Sequence, residues 1–253
     1  MKEIAIAPIR TESLKGVFVA RFEELILSGQ LSIGQKLPSE RSLALKLGVS
    51  RPVVHEGLVD LAAKGLVTMK PHIGSIVNDY RKEGSLVLLS SLTNYHEGDL
   101  DPELLESLLE MRRLFEIETA RLATKNRTEG NLNELKEHIK KERSCDHNNK
   151  EKVVELDFAF HHLIALATGN FVYPLLINSF KQVYTNLTGK FFLDKDVIPF
   201  VFDLHRSLVS AVEYSDEHKT ATIMECLLDH GEEHLRKYIR NYSGLKFRGS
   251  GLK

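Results

Sequence analysis

Apolar positions along the chain follow two regimes. Up to about residue 82 they come in short sets, broken at close intervals by glycine or by a change of period; from about residue 101 onward, long stretches of helical period follow one another. In the first regime Val17, Phe18, Ala20, Phe22, Leu25 and Ile26 predict a helix over residues 11–28, capped by Thr11 or Ser13 and stopped by Gly29. "QLSIGQKLP" reads as a turn-rich connector. Ser39 heads a second helix with Leu43, Ala44 and Leu47 facing inward, and Gly48 ends it. Two residues later Ser50 can cap a third. Arg51 and Pro52 fall in its first turn, where proline's missing N–H has no partner to lose. Val54, Leu58, Leu61 and Ala62 form its buried stripe, and Gly65 suits the left-handed position that closes a helix. The period then drops to two in "LVTMK" and "GSIVN", joined by "PHI", which predicts a hairpin. Helix, helix, tight turn, helix, hairpin is the order of a winged helix-turn-helix.

The second regime contains no strand-period segment of any length. Helices are expected over about residues 101–125, 131–145, 150–168, 174–192, 200–214 and 216–242, enough for an antiparallel bundle with its own core. "DYRKEGSLVLLSSLTNYHEGD" between the regimes reads as a linker containing a short helix. The fold class is therefore mainly α, with a winged helix-turn-helix at residues 10–79, a linker at 80–98 and a helical effector-binding and dimerisation domain at 99–243.

Composition adds limits rather than detail. Hydrophobic residues make up 42% and charged residues 27%, an ordinary soluble balance. No run approaches the ~20 apolar residues of a membrane span. The apolar run near the N-terminus is too short for a secretory signal, and the two cysteines, Cys145 and Cys226, make no disulfide framework. A cytoplasmic protein without a membrane partner is the expectation. The net charge of −1 hides an asymmetry. Arg10 to Lys82 holds 11 Lys and Arg against 7 Asp and Glu, while Glu83 to Lys253 holds 22 against 27. A basic front suits a polyanion; an acidic back does not.

A helix-turn-helix reads DNA with the N-terminal residues of its second helix. Here these are Ser50, Arg51, Pro52, Val53 and His55. Arg51 can fork onto guanine acceptors or phosphate, and Ser50 can bond a phosphate or cap the helix. Arg41 on the preceding helix can also reach the duplex, and Lys70 and His72 are the polar reach of the hairpin. "LPSER", "LGVSR", "KGLV" and a wing ending "GSIV", in this order within some 50 residues, resemble the DNA-binding domain of the GntR superfamily of bacterial transcription regulators. The resemblance implies that Arg41 and Arg51 contact DNA and places Gly74 in the wing. It also exposes two departures: His55 stands where the family usually has arginine, and His72 where the wing usually has glycine.

The helical half, with "EMRRLFEIETARLAT" near its start, resembles the FadR subfamily. Two branches of that subfamily offer different effectors. One binds a divalent metal such as zinc or nickel together with a small carboxylate. Asp157 and His161, four apart and so on one helix face, and His205 match three of its ligands. The fourth position falls on Leu227, with His230 and His234 off register beyond it, and Arg112 matches an arginine able to pair with a carboxylate. The other branch senses long-chain acyl-CoA without metal. "ELDFAFHHLIALATGNFVYPLLINSFKQVYTNLTGKFF" and "HGEEHLRKY" resemble it, which implies ligand contacts at Tyr184, Leu227, Gly231, Glu233, His234 and Tyr238. Phe158, Leu163, Val183, Leu187 and Phe191 could line a channel for the acyl chain. Gly231 sits mid-helix at a cost of about 1 kcal/mol relative to alanine, and close approach of a ligand or a neighbouring helix would repay it. No nucleophile motif, convincing general base or phosphate-cradling glycine loop points to an enzyme. The expectation is a homodimeric, effector-controlled regulator reading a pseudo-palindromic DNA operator, responsive to long-chain acyl-CoA or, alternatively, to a small carboxylate held on metal.

Overall fold

The computed structural model describes the backbone of residues 13–94 and 101–249, with the side chains of 13–93 and 101–238. The candidate cap Thr11 and residues 95–100 lie outside it. The chain folds as two compact units, with the division in sequence between Leu92 and Thr93.

The first unit begins with α1 (Leu14–Leu27), whose N-cap is Ser13: its hydroxyl accepts the Gly16 N–H at 3.0 Å. The buried face of α1 is Phe18, Val19, Phe22 and Ile26. Val17 and Ala20, expected inward, face solvent, because Phe18 and Val19 take the stripe positions above Phe22 and Ile26. Helix α2 (Glu40–Leu47) is capped by Ser39 and ended by Gly48 at φ +67°. Leu43 is its buried residue; Leu47, also expected inward, is exposed on the last turn. Helix α3 (Arg51–Ala63) buries Val54, Leu58 and Leu61 against α1. Gly57 makes this approach possible, since a Cβ there would overlap the Phe18 ring. Strands β1 (Val67–Lys70) and β2 (Gly74–Val77) form the antiparallel wing, paired from Val67↔Val77 to Lys70↔Gly74, with an isolated bridge from Lys36 to Ile76 beside them.

Two short helices follow, α4 (Tyr80–Glu83) and α5 (Leu88–Asn94). The sequence pattern suggests a linker here with one short helix. Instead residues 80–92 dock on the first unit: Leu88 is buried in its core, Tyr80 and Leu92 pack against it, and Ser85 N–H bonds the Lys64 carbonyl. The apolar residues of this segment thus complete the core of the winged domain.

The second unit contains, among the described residues, six helices: α6 (Pro102–Asn126), α7 (Glu129–Arg143), α8 (Lys150–Ala167), α9 (Val172–Phe191), α10 (Val197–Glu213) and α11 (Glu217–Gly249). Helix α6 packs on α8 and α11, α8 on α7 and α9, and α10 on α7 and α11. Asp101 caps α6, Thr128 and Asn131 form a reciprocal capping box on α7, and Asn149 caps α8. Helices α9 and α10 begin before their prolines rather than at or after them, because Pro174 and Pro199 occupy first-turn positions that need no N–H partner. Among the described residues no helix is long and apolar enough to cross a membrane.

Candidate DNA-reading face and effector chamber

The N-terminus of α3, the start of α2 and the wing border one cleft of about 580 Å³, walled by Glu40, Arg41, Arg51, Lys70, His72 and Gly74 among others. Arg41, Arg51, Pro52, His55, Lys70, His72 and Gly74 are all exposed; Val53 is half-buried. Ser50 holds the N-cap position of α3 in extended backbone, but its hydroxyl makes no capping bond, contrary to expectation. Arg51 and His55 both turn to Glu40. Arg51 Nε donates to Glu40 Oε2 at 3.1 Å, and His55 Nδ1 lies 2.7 Å from Oε1. The His55 bond holds the Glu40 carboxyl below its usual range; partial burial opposes this and Arg51 adds to it. His72 sits at the wing tip with φ +61°, the left-handed region that glycine enters without penalty.

In the bundle, Asp157 and His161 from α8 meet His205 from α10, with one ligand atom from each within 4.8 Å of the others; all three residues are buried. Among the described residues this is the one group of its kind, and neither His230 nor His234 joins it. Those two rings instead lie tilted against each other, centroids 4.4 Å apart, and both meet Phe191 edge-on. His161 and His205 each have a carboxylate beside Nδ1. His205 Nδ1 is 2.8 Å from Glu142 Oε1, and His161 Nδ1 is 2.5 Å from Glu116 Oε2, off the angle of a regular hydrogen bond. A carboxylate can only accept, so Nδ1 of His205 carries a proton and its Nε2 is left for the centre of the site. That Nε2 is buried without a hydrogen-bond partner, 3.8 Å from Asp157 Oδ1. Tyr184 donates its hydroxyl to Asp157 Oδ2 at 2.7 Å, and Arg112 pairs with Glu116 at 2.5 Å while covering the Tyr184 ring.

Burial pulls both Glu116 and Arg112 toward their neutral forms, but each outweighs it for the other. Glu116 is held well below the usual carboxylate range by Arg112 and His161, and Arg112 is driven above its usual value. Glu142 is likewise held down, against its own burial, by His205 and His138. Burial and the neighbouring Asp157 push the Tyr184 phenol far up, so it stays a donor. Between these groups lies a cavity of about 20 Å³ walled by Arg112, Asp157, His161, Tyr184, Leu227 and Gly231 among others. That is room for one water or one ion.

Residues 16–77 match the bacterial regulatory proteins of the gntR family, and residues 78–241 match the FadR C-terminal domain. The chain belongs to the GntR family, in the group that carries the FadR C-terminal domain. It is 28% identical over 225 residues to the fatty acid metabolism regulator protein of Proteus mirabilis, covering 89% of this chain and 90% of that one. It is 32% identical over 185 residues to the HTH-type transcriptional regulator Mce2R of Mycobacterium tuberculosis, covering 72% and 74%. A solved structure described as "Lar controls the expression of the Listeria monocytogenes agr system and mediates virulence" superposes with a TM-score of 0.63 at 15% identity, over 90% of this chain and 99% of that one, a likeness of fold. Members of this family are regulators of transcription and not enzymes, and this chain is a ligand-responsive, DNA-binding regulator of that type.

Within the family's two-part plan, the residues singled out from sequence separate. Arg112, Asp157, His161, Tyr184, Leu227 and Gly231 line the cavity, and His205 lies beside Asp157 and His161 without lining it. Glu233, His234 and Tyr238 do not line it. Glu233 is exposed and bonded to Lys237, because α11 turns Leu227, Gly231 and Leu235 inward and Glu233 away. Gly231 has no close neighbour: a Cβ there would meet nothing within 4 Å. Close helix packing is therefore not the reason for this glycine; it borders open space. Of the expected acyl channel, Phe191 borders the cavity, while Phe158, Val183 and Leu187 are buried core. No role is expected from sequence for Glu116, Glu142, His138 or Thr188, although Glu116 and Thr188 lie inside the stretches that carry the family resemblance. Glu116 and Glu142 fall on the apolar stripes of α6 and α7, in register with Leu109 and Leu135, and a carboxylate at a stripe position is the signal that could have revealed them.

Proposed function

We propose that this regulator acts as a homodimer on a pseudo-palindromic operator, reading each half-site with the start of α3 and flanking it with the wing. Two copies of one reader, related by a twofold axis, match an operator of the same symmetry. Support comes from the cleft that gathers Arg41, Arg51, Lys70, His72 and Gly74, and from the exposure of Pro52 and His55 beside it. Ser50, with its hydroxyl free of capping duty, is available to a phosphate.

For the effector, the geometry best supports a small carboxylate bound beside a divalent metal such as zinc or nickel. The observation that carries this is the buried Asp157–His161–His205 set with Glu116 and Glu142 behind its two imidazoles. Carboxylate-backed imidazoles are the arrangement that fixes tautomer and raises ligand basicity at metal centres. The donor set of two imidazoles and a carboxylate suits zinc or nickel and leaves coordination positions open. Charge agrees: Arg112 pairs with Glu116 and lies near Asp157, while Glu142 stands behind His205, so one fixed cation meets three carboxylates and, with neutral imidazoles, a divalent ion would offset the remainder. When bound, the ion would supply a positive centre for an anionic ligand. Asp157, His161 and His205 would hold it, Tyr184 orients Asp157, and Arg112 is placed to meet a carboxylate. Leu227 and Gly231 keep that side of the chamber apolar and open.

A second reading is favoured by kinship: relatives named fatty acid metabolism regulator match along 89% of the chain. A long-chain acyl-CoA would then be the effector, and the bundle would have to open, since acyl-sized ligands need several hundred Å³. Either ligand acts only by binding one arrangement of the reader domains more tightly than the other. Native mass spectrometry of the protein purified from its own cell separates the two. One zinc or nickel per chain, lost in His205→Ala, supports the metal reading. A metal-free chain carrying an acyl-CoA mass overturns it in favour of the second.

A further inference from the structure

Glu40 is an odd residue to find among cations that face DNA. It is the first residue of α2, yet it reaches across to the start of α3, where it bonds Arg51 Nε through one oxygen at 3.1 Å and His55 Nδ1 through the other at 2.7 Å. Arg51 and His55 are four residues apart and share a face of α3. Their side chains are 71% and 55% exposed, whereas that of Glu40 is 22% exposed, tucked behind them. A carboxylate this close to a phosphate-facing surface repels the ligand, so on electrostatics alone it lowers affinity.

We infer that Glu40 is a positioning residue of the DNA reader: its carboxylate clamps Arg51 and His55 side by side and sets base preference through them, without a DNA contact of its own. The clamp decides which edges remain. With Nε occupied, Arg51 presents its two terminal NH₂ groups, which can bridge the paired N7 and O6 acceptors of guanine. With Nδ1 occupied, His55 presents Nε2 alone. Both side chains also lose rotamer freedom before DNA arrives, which lowers the ordering cost of the correct complex. The inference rests on α3 being the reader helix.

The test uses the full chain. Duplexes are first selected by the wild-type protein from a randomised library. Glu40→Gln, Glu40→Ala, Arg51→Ala and His55→Ala are then compared on the selected duplex and on a scrambled one at the same salt. Glu40→Gln and Glu40→Ala are expected to bind the scrambled duplex at least as tightly as wild type, because a repelling charge is gone. Their preference for the selected duplex should fall about tenfold, the scale of one misplaced base contact. Melting temperature should stay at the wild-type value. A wild-type preference in Glu40→Gln, alongside a loss in Arg51→Ala or His55→Ala, overturns the inference and leaves the reader helix standing. Equal weakening on both duplexes with a lowered melting temperature also overturns it, since that is loss of fold. If all four variants keep the wild-type preference, the assignment of α3 itself fails and the role of Glu40 with it.

Discussion

The two units carry their charge in opposite ways. Around α3 and the wing, charged side chains stand in solvent and make few demands on the fold: Arg51 is mostly exposed, and its bond to Glu40 is a surface pair. In the bundle the charges are inside. Arg112, Glu116, Glu142, Asp157 and His205 are almost all withdrawn from water, and each depends on a neighbour to offset its desolvation. A surface built for a polyanion can lose one side chain and remain folded. A buried polar chamber cannot, so the same elements that would sense a ligand also hold the bundle together.

The largest test of that contrast is Arg112→Ala. It removes the guanidinium from the buried Glu116 carboxylate and leaves only His161 beside it, and the expected cost is about 3 kcal/mol of bundle stability, measured by urea unfolding. An effect below about 1 kcal/mol would mean that the chamber is wetter than its geometry shows. Next is acid. Glu116 and Glu142 titrate below the ordinary carboxyl range in the fold, so their contribution is complete above the unfolded value near pH ~4.3 and is lost as pH falls toward the folded one. The bundle should lose on the order of 2 kcal/mol over that window, and Glu116→Gln should flatten the loss in melting experiments below about pH 5. Third, His55→Arg lengthens the reader's reach and should shift base preference at one operator position by about tenfold, seen in binding-site selection, without change in melting. Smallest is the wing tip: His72→Gly relieves a left-handed backbone and should stabilise the chain by about 0.5–1 kcal/mol, read from calorimetry.

The units also differ in how much of them the sequence displays. In the first, punctuation is local: Ser39, Gly48, Pro52 and Gly65 mark starts and stops through their own backbone preferences, so element order and the reader helix are legible. What stays hidden there is three-dimensional. Gly57 reveals its purpose only when the Phe18 ring arrives beside it, and Leu88 looks like linker until it is seen in the core. In the bundle, Asp157 and His161 are visible as a pair because four residues make one helical turn. Their support is not, because charged residues on amphipathic helices face solvent by default. Glu116 and Glu142 break that default by lying on the buried stripe, whereas Glu233 obeys it. That is why the carboxylate implied by resemblance lies outside the chamber, while two with no role expected from sequence lie beside its histidines. Ser50 teaches the complementary point: a residue at the cap position need not cap.

The proposed reading of DNA depends most on the exposed start of α3 being the surface that meets the duplex. Affinity for a library-selected duplex, measured against salt concentration for wild type and Arg51→Ala with melting curves alongside, tests this directly. Wild-type affinity should fall steeply with salt, and Arg51→Ala should lose about a hundredfold or more at low salt, with a slope shallower by about one and an unchanged melting temperature. Salt-insensitive binding by the wild type, or an Arg51→Ala variant that binds like it, would contradict the assignment of α3 as the reader.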